Sequence, residues 1–363
     1  METSPFPYQG PLEPAQVKGR ADLIADLTER VTQRRVTALI GPRRYGKTSL
    51  LVRVADDLAN AGTSVVWVDF YEVSSVADVA LRFDAALNAA TGPIRSRIAN
   101  IAASVDLNLG LLKLGFARRK DERPEPLATL HLLLETMVSA ALDHPTVVVF
   151  DEFPGVTRVD GVAGLVRTKL QHHFQDIGIV FAGSQPSLMR AMFTDKTMPF
   201  YAQADLVSVG PFTAGAVSEI VEEGFRSTDR DPGNVAAAIF SYASGHPHRT
   251  IQVADAAWRA AEPGAVYTPR VWEAALADIR ASTDLANETV YSGFVAGEKM
   301  VLRLLADKHS LFGSAAELIG LASGTAQHAR ENLLAAGDVI RIGTGYQLVD
   351  PVLADWIRRR LPV

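Results

Sequence analysis

The sequence predicts an α/β fold: a parallel sheet with helices on both faces, then an all-α segment, then a small mixed unit. Three observations carry this reading. Between residues 20 and 211, short apolar strands alternate with helical periodicity, and strands apolar on both faces belong to a sheet covered on both sides. After Pro211 the strands stop, and residues 213 to about 290 read as helix, broken at Gly245-His246-Pro247. From about 297 onward the order becomes helix, helix, helix, hairpin. At 363 residues the chain is too long for one ordinary domain. The pattern sets boundaries at 1–211, 212–292 and 293–363.

Each element has its own signal. Residues 1–15, rich in Pro and Gly, form an extended lead-in. Leu23, Ile24, Leu27 and Val31 recur at helical spacing within 20–33. Residues 36–40 are a strand ending in a Gly-Pro turn. Leu50, Leu51, Val54 and Leu58 share a face of a helix from 47 to 60. Residues 64–70 form a second buried strand, and 76–90 a helix. Residues 93–126 read as irregular, with a small hairpin where Val105, Leu107 and Leu109 alternate before Gly110. The run 118–125 reads as a solvated charged loop. An apolar helix spans 127–142, a strand 147–150, a helix 165–175, and further strands 178–182 and 206–209. In the last unit, helices at 298–306, 314–321 and 324–335 precede two short strands joined through Gly343-Thr344-Gly345.

Composition excludes several classes. The net charge of −5 supplies no global field for nucleic acid, so any DNA contact needs a local patch. With no cysteine there are no disulfides and no thiolate metal sites, which fits a cytoplasmic location. The N-terminus lacks the basic and apolar regions of a signal peptide. No apolar run reaches the roughly 18 to 20 residues that span a bilayer, so no membrane role is expected.

The chemistry concentrates at Gly41-Pro42-Arg43-Arg44-Tyr45-Gly46-Lys47-Thr48, a Gly-x-x-x-x-Gly-Lys-Thr segment between a strand and a helix. Its glycines let backbone amides turn around phosphate oxygens, and the following helix presents its positive N-terminus. Lys47 reaches the β and γ phosphates, and Thr48 ligates Mg²⁺. This context predicts a parallel P-loop NTPase sheet that binds ATP or ADP. A second acidic site follows. The strand 146–150 delivers Asp151 and Glu152 at its C-terminal end, where open α/β sheets bind ligands. Asp151 is expected to hold Mg²⁺ through water, and Glu152 to polarise the attacking water. Ser184, closing the strand at 178–182, is placed to sense the γ phosphate or orient that water.

These motifs together resemble the archaeal-type ATPase family within the AAA+ and STAND class of P-loop NTPases, over almost the whole chain. Residues 41–50, through Ser49, are similar to that family's P-loop. Lys18-Gly19-Arg20 resembles the family's Gly-Arg-Glu box, which implies that Gly19 and Arg20 help hold adenine; Ala21 replaces the acidic residue. Phe181-Ala-Gly-Ser184-Gln resembles the sensor strand. Gly245-His246-Pro247-His248 resembles the Gly-x-Pro motif, which implies Pro247 near adenine. Asp350 to Trp356 resembles the close of the family's winged-helix domain, so the resemblance implies an all-α lid followed by a winged helix-turn-helix domain. One departure is Gln203, which stands where relatives often carry arginine. Arg190 or Arg249 could replace it, Arg249 lying where sensor-2 arginines sit in many AAA+ proteins.

The expected nucleotide site lies between sheet and lid, touched by residues 245–249. In the winged helix, the third helix exposes Thr325, Gln327, His328 and Arg330. Residues 297–363 carry eight Lys/Arg against seven Asp/Glu, a weak supply for phosphate neutralisation, although Arg358-Arg359-Arg360 is a local patch or a helix end complementing its dipole. The leading expectation is an ATP-hydrolysing switch acting on a protein partner or through self-association. The alternatives are a DNA-associated AAA+ ATPase and a nucleotide-gated scaffold that hardly hydrolyses.

Overall fold

The computed structural model describes residues 2–10, 12–104 and 125–363. The first unit runs α1 (Ala21–Thr32), β1 (Thr37–Ile40), α2 (Lys47–Asn60), β2 (Ser64–Asp69), α3 (Val76–Ala89), α4 (Ile94–Ser104), α5 (Pro126–Ala141), β3 (Thr146–Asp151), α6 (Val162–Leu170), β4 (Gly178–Gly183), α7 (Pro186–Thr194) and β5 (Asp205–Ser208). All five strands pair parallel, in the order β2-β3-β4-β1-β5. β1, β3 and β4 are buried along their whole length, as their unbroken apolar sequences require.

Alternate residues of each strand feed two separate cores. Ala38, Val148, Phe150 and Phe181 face the helices α3, α5, α6 and α7. Leu39, Val147, Val149 and Ala182 face α1 and α2. On the first face the phenylalanines interlock: Phe150 stacks on Phe181 at 5.2 Å, and Phe153 meets Phe181 at 4.4 Å. This packing fixes the ends of β3 and β4, where Asp151 and Glu152 and, across from them, Ser184 sit.

Beyond β5 come four helices, α8 (Ala214–Arg226), α9 (Val235–Ala243), α10 (Pro247–Ala260) and α11 (Pro269–Ser292). Then follow α12 (Ala296–Ala306), α13 (Ser314–Leu318), α14 (Ser323–Ala336), the antiparallel pair β6 (Val339–Ile342) and β7 (Gly345–Leu348), and α15 (Pro351–Arg360). α8 to α11 share one core, into which the lead-in inserts Phe6, fully buried against Phe225. α12 to α15 with Tyr291 form another. α15 joins the two, since Val352 belongs to the helical core and Trp356 to the C-terminal one.

Where expectation and structure differ, the cause is local. The stretch read as irregular begins with α4, whose Ile94 and Ile98 are buried, four residues apart, in the core shared with α5. The expected hairpin at 105–110 lies outside the described residues, as does most of the charged run from 118. The helix expected over 165–175 starts earlier, because Gly161 in a left-handed conformation opens it at Val162. α7 and α15, for which the sequence reading set no helix bounds, begin with Pro186 and Pro351 at their first turns. No helix among the described residues is long and apolar enough to cross a membrane.

Candidate functional site

The phosphate loop joins β1 to α2. Gly46 caps α2 at φ 80°, a left-handed value that favours glycine. Lys47 is 5% exposed, and its Nζ donates to the carbonyls of Gly41 and Pro42, both at 2.8 Å. Burial pulls its pKa down to about 8, with Glu152 and Asp151 opposing that shift. Pro42 is buried beside Gly41, whereas Arg43 and Arg44 reach solvent and Tyr45 is buried.

Across the crevice, Thr48 Oγ1 donates to Asp151 Oδ2 at 3.0 Å, joining residues 103 positions apart. Asp151 accepts a second bond from the Glu152 amide at 3.0 Å. Burial raises its carboxyl above the usual range despite these bonds. Glu152 adopts φ 47°, ψ 39°, a left-handed conformation uncommon outside glycine and costing of order 1–3 kcal/mol. That turn swings its side chain toward β4, where Ser184 Oγ donates to Glu152 Oε2 at 2.8 Å and the Ser184 amide at 3.2 Å. Lys47, Thr48, Asp151, Glu152 and Ser184 therefore meet at the C-terminal ends of β1, β3 and β4.

The turn before α10 closes against this loop. The His248 amide donates to the Arg44 carbonyl at 3.4 Å, and the Tyr45 and His246 rings meet edge to face at 4.9 Å. Gly245 (φ 72°) holds the turn: its carbonyl accepts from Phe212 N at 2.8 Å, and a Cβ there would fall 2.2 Å from the Phe212 carbonyl oxygen. Pro247 starts α10 and is buried within this contact. His248 packs its ring edgewise on Tyr8, and its buried Nδ1 has no hydrogen-bond partner.

Several expected nucleotide contacts have other partners here. Arg249 extends to the C-terminal unit: its Nε donates to Asp350 Oδ1 at 3.0 Å, and its Nη1 to Gln252 Oε1 at 2.6 Å. Arg20 lies over the Phe212 ring and donates to the Gly210 carbonyl at 2.6 Å, so it fastens the link from β5 to α8. Gly19 abuts α8, where a Cβ would fall 2.9 Å from Ile220 Cδ1. Ser49 Oγ accepts from the Leu12 amide at 3.1 Å. Arg190 is exposed on α7, and Gln203 Nε2 bonds the Tyr201 carbonyl.

Two neighbours of the cleft escaped the sequence reading. Asp350 is one, because Asp-Pro at a helix start signals only a cap; Asp350 Oδ1 does accept from the Val352 amide at 2.9 Å. The other is α14, whose Leu334 carbonyl accepts from Ser187 Oγ at 2.9 Å, beside the loop that carries Ser184. No sequence signal marks that contact.

Burial of the histidines makes this junction acid-sensitive. Burial is the main cause that pushes both His246 and His248 down to about 4 from 6.5. The unfolded chain therefore takes up protons first as the pH falls, and stability is lost between pH 6.5 and about 4. For His246, 3% exposed, the loss is on the order of 3 kcal/mol. Asp151, raised by burial, acts in the opposite sense, so the comparison must be differential. Urea midpoints measured across this window should fall more steeply for the wild-type chain than for His246→Asn, whose amide still caps α10. Parallel curves would remove His246 as the cause.

No protein-family model and no curated protein matches the chain. Solved structures do. The Walker-type ATPase of Pyrococcus abyssi superimposes with a TM-score of 0.69 at 20% identity, covering 98% of this chain and 99% of that one. The chain has the fold of a P-loop ATPase. The ORC1 protein of Aeropyrum pernix in complex with DNA gives a TM-score of 0.51 at 15% identity, over 95% of this chain and 93% of that one. The ADP form of the ORC2 protein from the same organism gives 0.51 at 15% identity, over 98% and 97%. The likeness thus runs through the helical and C-terminal parts as well as the sheet.

Proposed function

We propose that the chain binds ATP with Mg²⁺ at this cleft, hydrolyses it slowly, and uses nucleotide state to control the arrangement of its parts and a partner's access to them. The convergence of Lys47, the Thr48–Asp151 pair and the Glu152–Ser184 pair on one sheet edge is the observation that carries this reading. The parts are an ATPase core over 1–211, a helical lid over 212–292 and a winged helix-turn-helix domain over 293–363. A cytoplasmic setting accords with the cysteine-free sequence.

The donors suit Mg²⁺, a hard cation that prefers oxygen. Asp151 is buried with a hydroxyl and an amide for partners, an anionic oxygen set lacking a counter-charge in direct contact. Among the described residues no group of three or more His, Cys, Asp or Glu could hold a metal. Thr48 and Asp151 would hold the ion through one hydroxyl and one carboxylate, leaving the rest of its shell to phosphate oxygens and water. When bound, Mg²⁺ supplies charge neutralisation at the phosphates.

The chain's own groups supply the rest. Lys47 Nζ leaves the loop carbonyls for phosphate oxygens, which restores its full charge. Glu152, released by Ser184, takes a proton from the water that attacks the γ phosphorus, and ADP departs with the bridging oxygen. Slow turnover accords with Glu152 being held by Ser184. The direct test is ATP turnover by the purified chain with and without Mg²⁺, joined to native mass spectrometry for bound nucleotide and subunit count. A chain that neither retains nor cleaves ATP removes this reading.

A DNA-associated reading draws on the ORC1 structure, which holds DNA, and on α14, which exposes Thr325, Gln327 and His328. The charge distribution argues against it. Arg359 and Arg360 are committed to Asp284, Arg358 to the Ala306 carbonyl, and Arg330 lies over Tyr346. Lys308 and Arg341 remain exposed without an ion pair among the described residues, a small supply for phosphates, so a steep salt dependence of DNA affinity would be needed to restore this reading.

A further inference from the structure

The lead-in holds the helical unit and the sheet unit at the same time. Phe6 is 2% exposed and sits in the core shared by α8 to α11, its ring 5.9 Å from that of Phe225. Gly224 makes room for it, since a Cβ there would fall 2.3 Å from the Phe6 ring. Glu2 adds a second hold: its Oε2 accepts from Arg230 Nη1 at 2.8 Å, and Arg230 lies over the Trp258 ring. Six residues after Phe6 the chain is fixed to the other unit. The Leu12 amide donates to Ser49 Oγ on the first turn of α2 at 3.1 Å, and the Pro14 carbonyl accepts from Arg53 Nη1 at 3.2 Å. Between these holds, Tyr8 meets His248, the residue whose amide bonds the phosphate loop at Arg44.

From this arrangement, and resting on the ATP-binding reading above, we propose that the lead-in is a short tether across the mouth of the cleft, with Phe6 as its plug, and that it limits how fast a nucleoside di- or triphosphate enters and leaves.

The helical unit follows directly from β5, and Arg20 fastens that link by bonding the Gly210 carbonyl at 2.6 Å. That end is the hinge. Phe6 binds beside Gly224, which lies ten residues beyond Ala214 at the start of α8, about 15 Å along the helix. A restraint that far from a hinge opposes opening with a leverage that contacts at the hinge lack. Lys18 also reaches α8, at Glu223 and 2.7 Å, but both partners are exposed, and such pairs contribute little.

The connection is short and stiff. Six residues extend at most about 20 Å. Pro5 and Pro7 flank the plug and fix the backbone on either side of it. The helical unit therefore cannot swing off the phosphate loop while Phe6 stays seated. A nucleotide passes between the two units, because the turn before α10 lies on the loop that takes its phosphates. Entry and release wait for the same event, the withdrawal of Phe6 from its socket. The tether supplies none of the phosphate contacts, so it favours the closed arrangement equally with and without ligand. It slows both directions and leaves the affinity unchanged.

The test uses the full chain with ADP and Mg²⁺, and surface plasmon resonance to read association and dissociation rates. One variant carries six Gly/Ser residues inserted between Gln9 and Gly10. Both positions are exposed, and a Cβ on Gly10 would meet nothing within 4 Å, so neither hold is disturbed. The insertion doubles the tether, which lowers the effective concentration of the plug at its socket about threefold. Association and dissociation are each expected to rise about threefold or more, with an affinity within about twofold of wild type. In Phe6→Ala both rates should rise roughly 10- to 100-fold, the scale for removing a buried aromatic ring from a core. A lead-in that only touches bound nucleotide predicts faster dissociation alone, and that result overturns the tether. Rates unchanged by the insertion, or a folded Phe6→Ala chain that matches wild type, overturn it as well. If Phe6→Ala does not fold, the insertion decides. Absence of ADP binding by every chain overturns the ATP reading itself, and the tether falls with it.

Discussion

Lys47→Ala is expected to remove measurable ATP binding while the chain stays folded. Lys47 is the one cation that the loop buries at the phosphate position, and among the described residues its Nζ has only the Gly41 and Pro42 carbonyls for partners. In the free chain this arrangement costs energy, since burial has already pulled the ammonium down to about 8. Phosphate oxygens replace those carbonyls with full negative charge. A hydrogen bond to a charged group contributes about 1.5–3 kcal/mol, and two such bonds lost amount to roughly a hundredfold or more in affinity. Alanine also relieves the burial penalty, so thermal stability without nucleotide should hold or rise. Calorimetric titration decides the matter: an affinity equal to wild type removes Lys47 from the phosphate site.

Glu152→Gln should leave ATP binding near wild type and stop turnover. Glutamine has the shape of glutamate, and its amide oxygen still accepts from Ser184 Oγ, so the left-handed turn at 152 and the end of β3 are retained. It cannot take a proton at neutral pH. Loss of a general base costs typically about 10²- to 10⁴-fold in rate. Single-turnover measurement on preloaded protein separates this from slow product release. A variant with wild-type turnover would place the base on another residue, and Asp151 would be the nearest carboxylate.

The two expectations differ in how much of the fold they draw on. The phosphate loop was legible because its chemistry is written in consecutive residues: a strand, two glycines at fixed spacing, Lys47 and a helix. The Thr48–Asp151 pair was legible at one remove, since an acidic residue at the end of a buried parallel strand lies near any other strand end on that edge. The turn at Gly245-His246-Pro247 was visible as a break, and it does lie against Arg44 and Tyr45. The partners of Arg20, Ser49 and Arg249 were not legible. Each is a long or polar side chain whose choice depends on what packs nearby, and the competing partners come from Gly210, Leu12 and Asp350, all distant or featureless in sequence.

The sequence by itself determined the alternation of strands and helices apart from α4, α7 and α15, the parallel sheet and the phosphate loop, because hydrophobic period and glycine spacing act over a few residues. Only the tertiary structure decided which charges meet. It gave Arg249 to Asp350 across 101 positions, turned Glu152 onto Ser184, and spent Arg359 and Arg360 on Asp284. A salt bridge needs two groups within about 4 Å, and that proximity is set by how whole helices pack, which local periodicity does not encode.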